Sequence, residues 1–231
     1  MALVLAGGTG SRMGRPKQFI DLLGVPALLY TLSAFQEAPD VGRIYTVGDR
    51  ACIEDLVEEA GISKYAGCAP PGESRSLSTR SGLSLLEEDP ETVVLVHDGS
   101  RCLVTPGLIR RVVKAAVGDP GANGVVPALP VSDTIKVVEN GAILKTLDRT
   151  KLHAIQTPQA FRLGLLHEVC ANSEECLYAA TDDASLVEET GGRVLVVAGE
   201  KTNIKLTSPE DLILAEAILS ARARTGGRSW A

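Results

Sequence analysis

Aromatic residues make up only 3% of this 231-residue chain, so packing falls to Leu, Val, Ile and Ala. No apolar run approaches the roughly 20 residues that a membrane span requires, and Met1–Ala6 reads as a strand, not a signal peptide. Cationic excess is missing too. Against 29 Asp and Glu stand 23 Lys and Arg, a net charge of −6, and a pI near 5.2 argues against bulk nucleic-acid binding. The five cysteines (52, 68, 102, 170 and 176) form no Cys-x-x-Cys pair, and their odd number argues against a disulfide framework. His167, Cys170 and Cys176 match no zinc spacing. Reduced thiols in a cytoplasmic protein are the expectation.

Two nucleotide fingerprints are also absent. No Gly-x-x-x-x-Gly-Lys-Ser/Thr run exists, and Gly8, Gly10 and Gly14 are spaced Gly-x-Gly-x-x-x-Gly, not Gly-x-Gly-x-x-Gly. The acid expected about 20 residues beyond a dinucleotide loop is missing as well. A hydride-transfer enzyme is thereby excluded.

The stretch from Leu5 to Gln18 carries a glycine-rich loop of another kind, Gly7-Gly8-Thr9-Gly10, followed by Arg12, Arg15 and Lys17. Backbone N–H groups without a Cβ in the way wrap phosphate oxygens. Arg adds a planar fork and Lys a mobile point charge. The loop is built for a polyphosphate.

With 45% apolar residues and a mean hydropathy of +0.12, the chain suits one domain over residues 1–223, with a frayed tail at 224–231. Strands are expected at 1–6, 43–47, 92–97, 123–128 and 193–198. Helices are expected from Pro26, over 50–60 to Gly61, over 74–88, from Thr105-Pro106 to Gly118, and from Ser208-Pro209. Alternation of this kind means a Rossmann-like, mostly parallel α/β sheet with helices on both faces. One stretch breaks the pattern. Residues 133–139 and 142–148 flank Asn140-Gly141, the favoured two-residue hairpin turn. This hairpin, within an insertion at about 131–156, is expected to project as an arm, with Ile135, Val137, Ile143 and Leu147 as an apolar face for homodimerisation. Packing of the excursion on its own domain is the alternative.

Ligands of such sheets bind outside the carboxyl ends of the strands. The polar residues gathered there are Gly7 to Lys17, Gly72 to Ser78 with Glu73 and Arg75, His97 to Arg101, Thr181-Asp182-Asp183, and Asn203 to Lys205. Asp98, closing an apolar strand beside Gly99, is the natural Mg²⁺ ligand, because Mg²⁺ takes one or two carboxylates plus substrate phosphates. His97 alternates to the other side of that strand, as a core or supporting histidine.

Taken in order, these motifs resemble the bacterial 2-C-methyl-D-erythritol 4-phosphate cytidylyltransferases and the related ribitol-5-phosphate cytidylyltransferases. The match rests on Ala6-Gly-Gly-Thr-Gly-Ser-Arg-Met-Gly14 with Pro16-Lys-Gln18, Gly72-Glu-Ser-Arg75 with Ser78, His97-Asp98 with Arg101, Asp133-Thr134, Asp148-Arg149, Thr157-Pro-Gln159, Thr181-Asp182, and Asn203-Ile-Lys205. The resemblance implies the nucleotide-diphospho-sugar transferase fold and transfer of a cytidylyl group from CTP, with Mg²⁺, to 2-C-methyl-D-erythritol 4-phosphate. Ribitol 5-phosphate is the alternative acceptor. It implies that Arg12 and Lys17 act at the α-phosphorus, that Ala6, Gly72, Glu73 and Ser78 read the cytosine, and that Asp98 and Gly99 lie near ribose and metal. Thr134 and Arg149 of a neighbouring subunit, with Lys205, would hold the acceptor phosphate. Thr157, Thr181 and Asp182 would line its polyol, with Arg101 on the acceptor side and Arg75 on the nucleotide side. The chain departs from the family pattern in having only Gly14-Arg15 between Met13 and Pro16, and Cys102 after Arg101.

Overall fold

The computed structural model describes residues 1–8, 16–171 and 174–225. The chain runs through β1 (Ala2–Leu5), a small ribbon of β2 (Asp21–Leu22) and β3 (Val25–Pro26), α1 (Ala27–Glu37), β4 (Ile44–Val47), α2 (Arg50–Ala60) and β5 (Tyr65–Ala69). Next come α3 (Arg75–Leu83), β6 (Val93–Asp98), α4 (Pro106–Gly118), β7 (Gly124–Pro130), and the hairpin β8 (Lys136–Glu139) and β9 (Ala142–Thr146). The last part holds β10 (His153–Ile155), β11 (Gln159–Arg162), α5 (Leu163–Cys170), α6 (Glu174–Ala179), α7 (Asp183–Glu189), β12 (Val194–Ala198) and α8 (Pro209–Arg224).

Local chemistry sets the helix starts. The side chains of Asp49, Ser74, Thr105 and Asp182 each accept a hydrogen bond from the backbone N–H three residues on, at 3.0–3.2 Å. Asp211 reaches back to the N–H of Ser208 at 2.8 Å to start α8. The helix expected over 74–88 stops at Leu83. Beyond it Leu85 and Leu86 turn back onto the carbonyls of Gly82 and Leu83, which keeps Leu86 buried without another helical turn.

One large sheet runs β5-β4-β1-β6-β11-β7, with β10 beside the far half of β7 on the β11 side and β12 along its other edge. The strands β5, β4, β1 and β6 are parallel. Successive residues of β1 and β6 serve opposite cores, as a strand buried on both faces must. Val4 and Leu95 pack with Leu32, Phe35, Ile53 and Leu108 on the side of α1, α2 and α4. Leu3, Val94 and Val96 pack with Leu83, Phe161, Leu166 and Leu186 on the other side. A smaller core joins α8 to the ribbon through Leu22, Tyr30, Leu103 and Leu206, and it holds Cys102, whose thiol burial pushes up to about 12.

The sheet is mostly parallel, with two antiparallel strands: β10 runs against β7, and β11 lies against both β6 and β7, with Gln159 level with Val96. The arm is as anticipated in position but shorter. Its strands pair only with each other among the described residues, joined by Asn140 and Gly141 at φ 50° and 78°. A bulge after Val137 puts Val138 opposite Ile143, so the apolar face differs from the one expected. Val138, Ile143 and Leu144 are the most exposed of its apolar residues, whereas Ile135 and Leu147 are half-buried.

Candidate active site

Sheet register brings the site together. Leu5 is level with both Val47 and Asp98, and Val47 with Ala69, so the loops after β1, β4, β5 and β6 emerge at one edge. The loops after β1, β5 and β6, with Lys205, enclose a cleft of about 540 Å³, lined among others by Gly7, Gly8, Lys17, Gly72, Glu73, Arg75, Ser78, Asp98 and Lys205. All nine are residues singled out in the sequence. Thr9, Gly10 and Arg12 lie outside the described residues.

The ends of the glycine loop are fixed by a residue to which sequence reasoning gave no role. Buried Gln18, the middle residue of the 3₁₀ turn Lys17–Phe19, donates its amide to the carbonyls of Ala6 at 2.6 Å and Gly8 at 3.2 Å. The loop after β5 approaches so closely that a β-carbon on Gly7 would sit 2.3 Å from that of Pro71. A β-carbon on Gly72 would lie 2.6 Å from the Leu77 backbone. Only glycine permits either approach. Ser78 spends its hydroxyl inside this loop, accepting from the Gly72 N–H at 3.0 Å and donating to the Ser74 carbonyl at 2.9 Å. Tyr178 donates its hydroxyl to Glu73.

Asp98 is the electrostatic centre. Arg75 Nε reaches its Oδ1 at 3.0 Å, and Lys205 Nζ and Arg101 Nε lie 2.7 and 3.8 Å from its Oδ2. Burial pushes the carboxyl pKa up, but Arg75 and Lys205 outweigh it and hold the group well below the usual carboxylate range. Arg75 also reaches Asp183 Oδ2 at 2.6 Å. Burial pulls the guanidinium pKa down, and Asp183 and Asp98 together more than reverse that.

Behind Asp98 lies a buried hydrogen-bond chain. Burial pushes the His97 pKa down to about 3, so the imidazole is neutral. Its Nε2 lies 3.2 Å from the Arg101 carbonyl, which only accepts, so Nε2 carries the hydrogen. Nδ1 then accepts from the Thr157 hydroxyl at 3.0 Å, and that hydroxyl accepts from the Asp98 N–H at 3.0 Å. Thr157 is therefore committed to holding Asp98. Arg101 gives two nitrogens to the carbonyls of Asn203 and Ile155, and Asp182 caps α7 while accepting from Gln159 at 2.7 Å. Thr181 is exposed, and Thr134 and Arg149 stand on the arm, where Arg149 donates to the Ser132 carbonyl at 2.8 Å. These residues do not line the cleft of their own chain.

A divalent cation fits this donor set in one way. Among the described residues no three His, Cys, Asp or Glu side chains are grouped to hold a metal, so Asp98 offers a single carboxylate and substrate phosphates must complete the shell. Also among the described residues, no helix is long and apolar enough to cross a membrane.

A largely parallel sheet, a glycine loop at its carboxyl edge and cations gathered on one aspartate define a nucleotidyltransferase. The family model of 2-C-methyl-D-erythritol 4-phosphate cytidylyltransferase matches residues 1–221, and the chain belongs to that family. The enzyme of that name from Rubrobacter xylanophilus is 64% identical over 228 residues, covering 99% of this chain and 98% of its own. The crystal structure of the Thermus thermophilus enzyme superposes with a TM-score of 0.76 at 32% identity, covering 94% of this chain and 98% of that one. A crystal structure of 4-diphosphocytidyl-2C-methyl-D-erythritol synthase gives 0.80 at 29% identity, covering 94% and 97%.

Proposed function

We propose that this chain transfers the cytidylyl group of CTP to 2-C-methyl-D-erythritol 4-phosphate, releasing pyrophosphate. The observation that carries the reading is the cluster of Arg75, Lys205 and Arg101 on Asp98, beside a glycine loop, in a chain whose relatives bear that activity in their names. The nucleophile is an acceptor phosphate that is already ionised. No general base is needed, and positioning with charge neutralisation suffices.

Arg12 and Lys17 stabilise charge at the α-phosphorus. The loop of Ala6 to Gly10 wraps the triphosphate, while Gly72 and Glu73 read the base from a loop whose shape Ser78 holds. Asp98 would hold Mg²⁺ together with the substrate's phosphates, and the ion would supply charge neutralisation on the triphosphate. Lys205 serves both the nucleotide and the acceptor. Residues 1–223 act as one catalytic domain carrying the arm, and two chains form a homodimer through their arms. In it Thr134 and Arg149 hold the acceptor phosphate at the neighbour's cleft, and Thr181 and Asp182 lie along the polyol. The exposed Val138, Ile143 and Leu144, and a cleft lining to which Arg149 of the same chain does not contribute, support this reading. The cytoplasm is the place of action, in keeping with five free thiols.

Pyrophosphate release tests the assignment. With CTP and Mg²⁺, turnover is expected on 2-C-methyl-D-erythritol 4-phosphate. Turnover on ribitol 5-phosphate alone overturns the acceptor, and none on either overturns the chemistry.

A further inference from the structure

Asp183 follows the N-cap of α7 and is wholly buried, yet none of the roles above uses it. Its Oδ2 lies 2.6 Å from Arg75 Nη1, while its Oδ1 and Arg75 Nη2 are buried with no hydrogen-bond partner among the described residues. A buried carboxylate is costly, and a buried ion pair is a poor stability device, because apolar side chains of similar volume serve as well. What such a pair supplies is geometry. The guanidinium is planar and rigid. With Nη1 seated on Asp183, its Nε edge meets Asp98 Oδ1 at 3.0 Å, and Asp98 Oδ2 is the oxygen that faces Lys205 at 2.7 Å. Of the three side chains in this line, Arg75, Asp98 and Lys205, only Lys205 is substantially exposed, at 41% against 21% and 9%. The fixed end of the line is Asp183.

We infer that Asp183 is a positioning residue for cytidylyl transfer: through Arg75 it sets the orientation of the Asp98 carboxylate, and hence of Lys205, before substrate enters. This rests on the reading of Asp98 and Lys205 given above. The charge balance adds a signature. With Asp183 removed, one more positive charge in the cluster is left uncompensated, which favours the triphosphate. Turnover therefore falls while nucleotide binding is kept or tightened, a split that general damage to the fold does not produce.

The test uses full-length protein carrying Asp183→Asn, Asp183→Glu, Arg75→Lys, the Arg75→Lys/Asp183→Asn pair, or Asp98→Asn, with kcat, CTP KM and Tm measured for each. Asp183→Asn is expected to lower kcat on the order of tenfold or more, with CTP KM unchanged or lower. Asp183→Glu, which keeps the charge, is expected to restore most of the turnover. Arg75→Lys keeps its charge but cannot span two carboxylates, so it should show the same loss. In that background Asp183→Asn should cost less than about twofold more, because both act through one link.

Parental kcat in a folded Asp183→Asn, a raised CTP KM with kcat intact, or fully multiplicative losses in the pair overturns the inference. Should Asp183→Asn fail to fold, Arg75→Lys decides: parental turnover there overturns it equally. Parental turnover in Asp98→Asn sinks the reading of the site itself. An inactive Asp98→Asn beside a fully active Asp183→Asn sinks only the role of Asp183.

Discussion

The cleft and the arm of this molecule handle their polar side chains in opposite ways. At the cleft, Asp98, Arg75 and Arg101 are mostly buried and cross-linked to one another and to the backbone. On the arm, every residue from Lys136 to Thr146 is exposed, and the strands β8 and β9 answer only to each other among the described residues. The first region is organised before substrate arrives, so little reorganisation is left for the reacting state. The second offers apolar and cationic side chains that its own chain leaves open. Fixed charge makes for rate, and open surface makes for assembly.

The sharpest way to test that contrast is to remove a cation from each region. Lys17→Ala or Arg12→Ala is expected to lower kcat on the order of a hundredfold or more with little change in CTP KM; equal turnover in either variant refutes the role. Arg149→Ala, on the arm, is expected to raise the acceptor KM roughly tenfold and leave CTP KM alone. Mixing Arg149→Ala subunits with Lys17→Ala subunits should then regain part of the activity, since some hybrid dimers join an intact cleft to an intact arm. No recovery after subunit exchange contradicts a shared site.

A smaller effect separates the buried interior of the cleft from the arm by pH. Burial holds His97 near a pKa of 3 in the fold, against 6.5 for an ordinary histidine. Between those values the unfolded chain binds the extra proton, so stability falls as pH drops, by up to about 1.4 kcal/mol per unit. Asp98, held below its ordinary 3.8, loses its own contribution only as pH falls under that value. Urea titrations across this window should show the decline, and His97→Gln should flatten it; an unchanged slope in the variant counts against the assignment. Smallest of all is Gly141→Ala. Placing a Cβ at φ 78° should cost about 1 kcal/mol in the hairpin and leave CTP turnover untouched.

Much of this was legible in the residues. Apolar runs announced β1, β4 and β6, caps announced the starts of α4 and α8, Gly61 the end of α2, and Asn140-Gly141 the hairpin, because each signal is local. The cleft was legible for a related reason: in a parallel sheet the strand ends collect at one edge, so polar residues there converge without further information. Orientation was not legible. Gln159–Arg162 is four residues long and looks the same read in either direction, so nothing in it declares β11 antiparallel. Partner choice was equally hidden. That the Thr157 hydroxyl holds the Asp98 backbone, and that the Asp182 carboxylate takes up Gln159 and the start of α7, shows only in the fold. Gln18 and Asp183 sat inside quoted motifs without a role, because a buried polar side chain shows its purpose only once its distant partner is known.

The backward run of β11 has a mechanical consequence. Its first residue, not its last, lies at the working edge of the sheet, so the chain comes straight from the arm into the cleft. Only Gln156, Thr157 and Pro158 separate β10 from β11. Gln156 grips the Glu200 and Asn203 carbonyls and Thr157 grips the Asp98 backbone. The hairpin itself joins the body through residues 131–135 and 147–152, and β10, paired with β7, passes the chain on to that three-residue tether, one hydrogen bond from the backbone of the central aspartate.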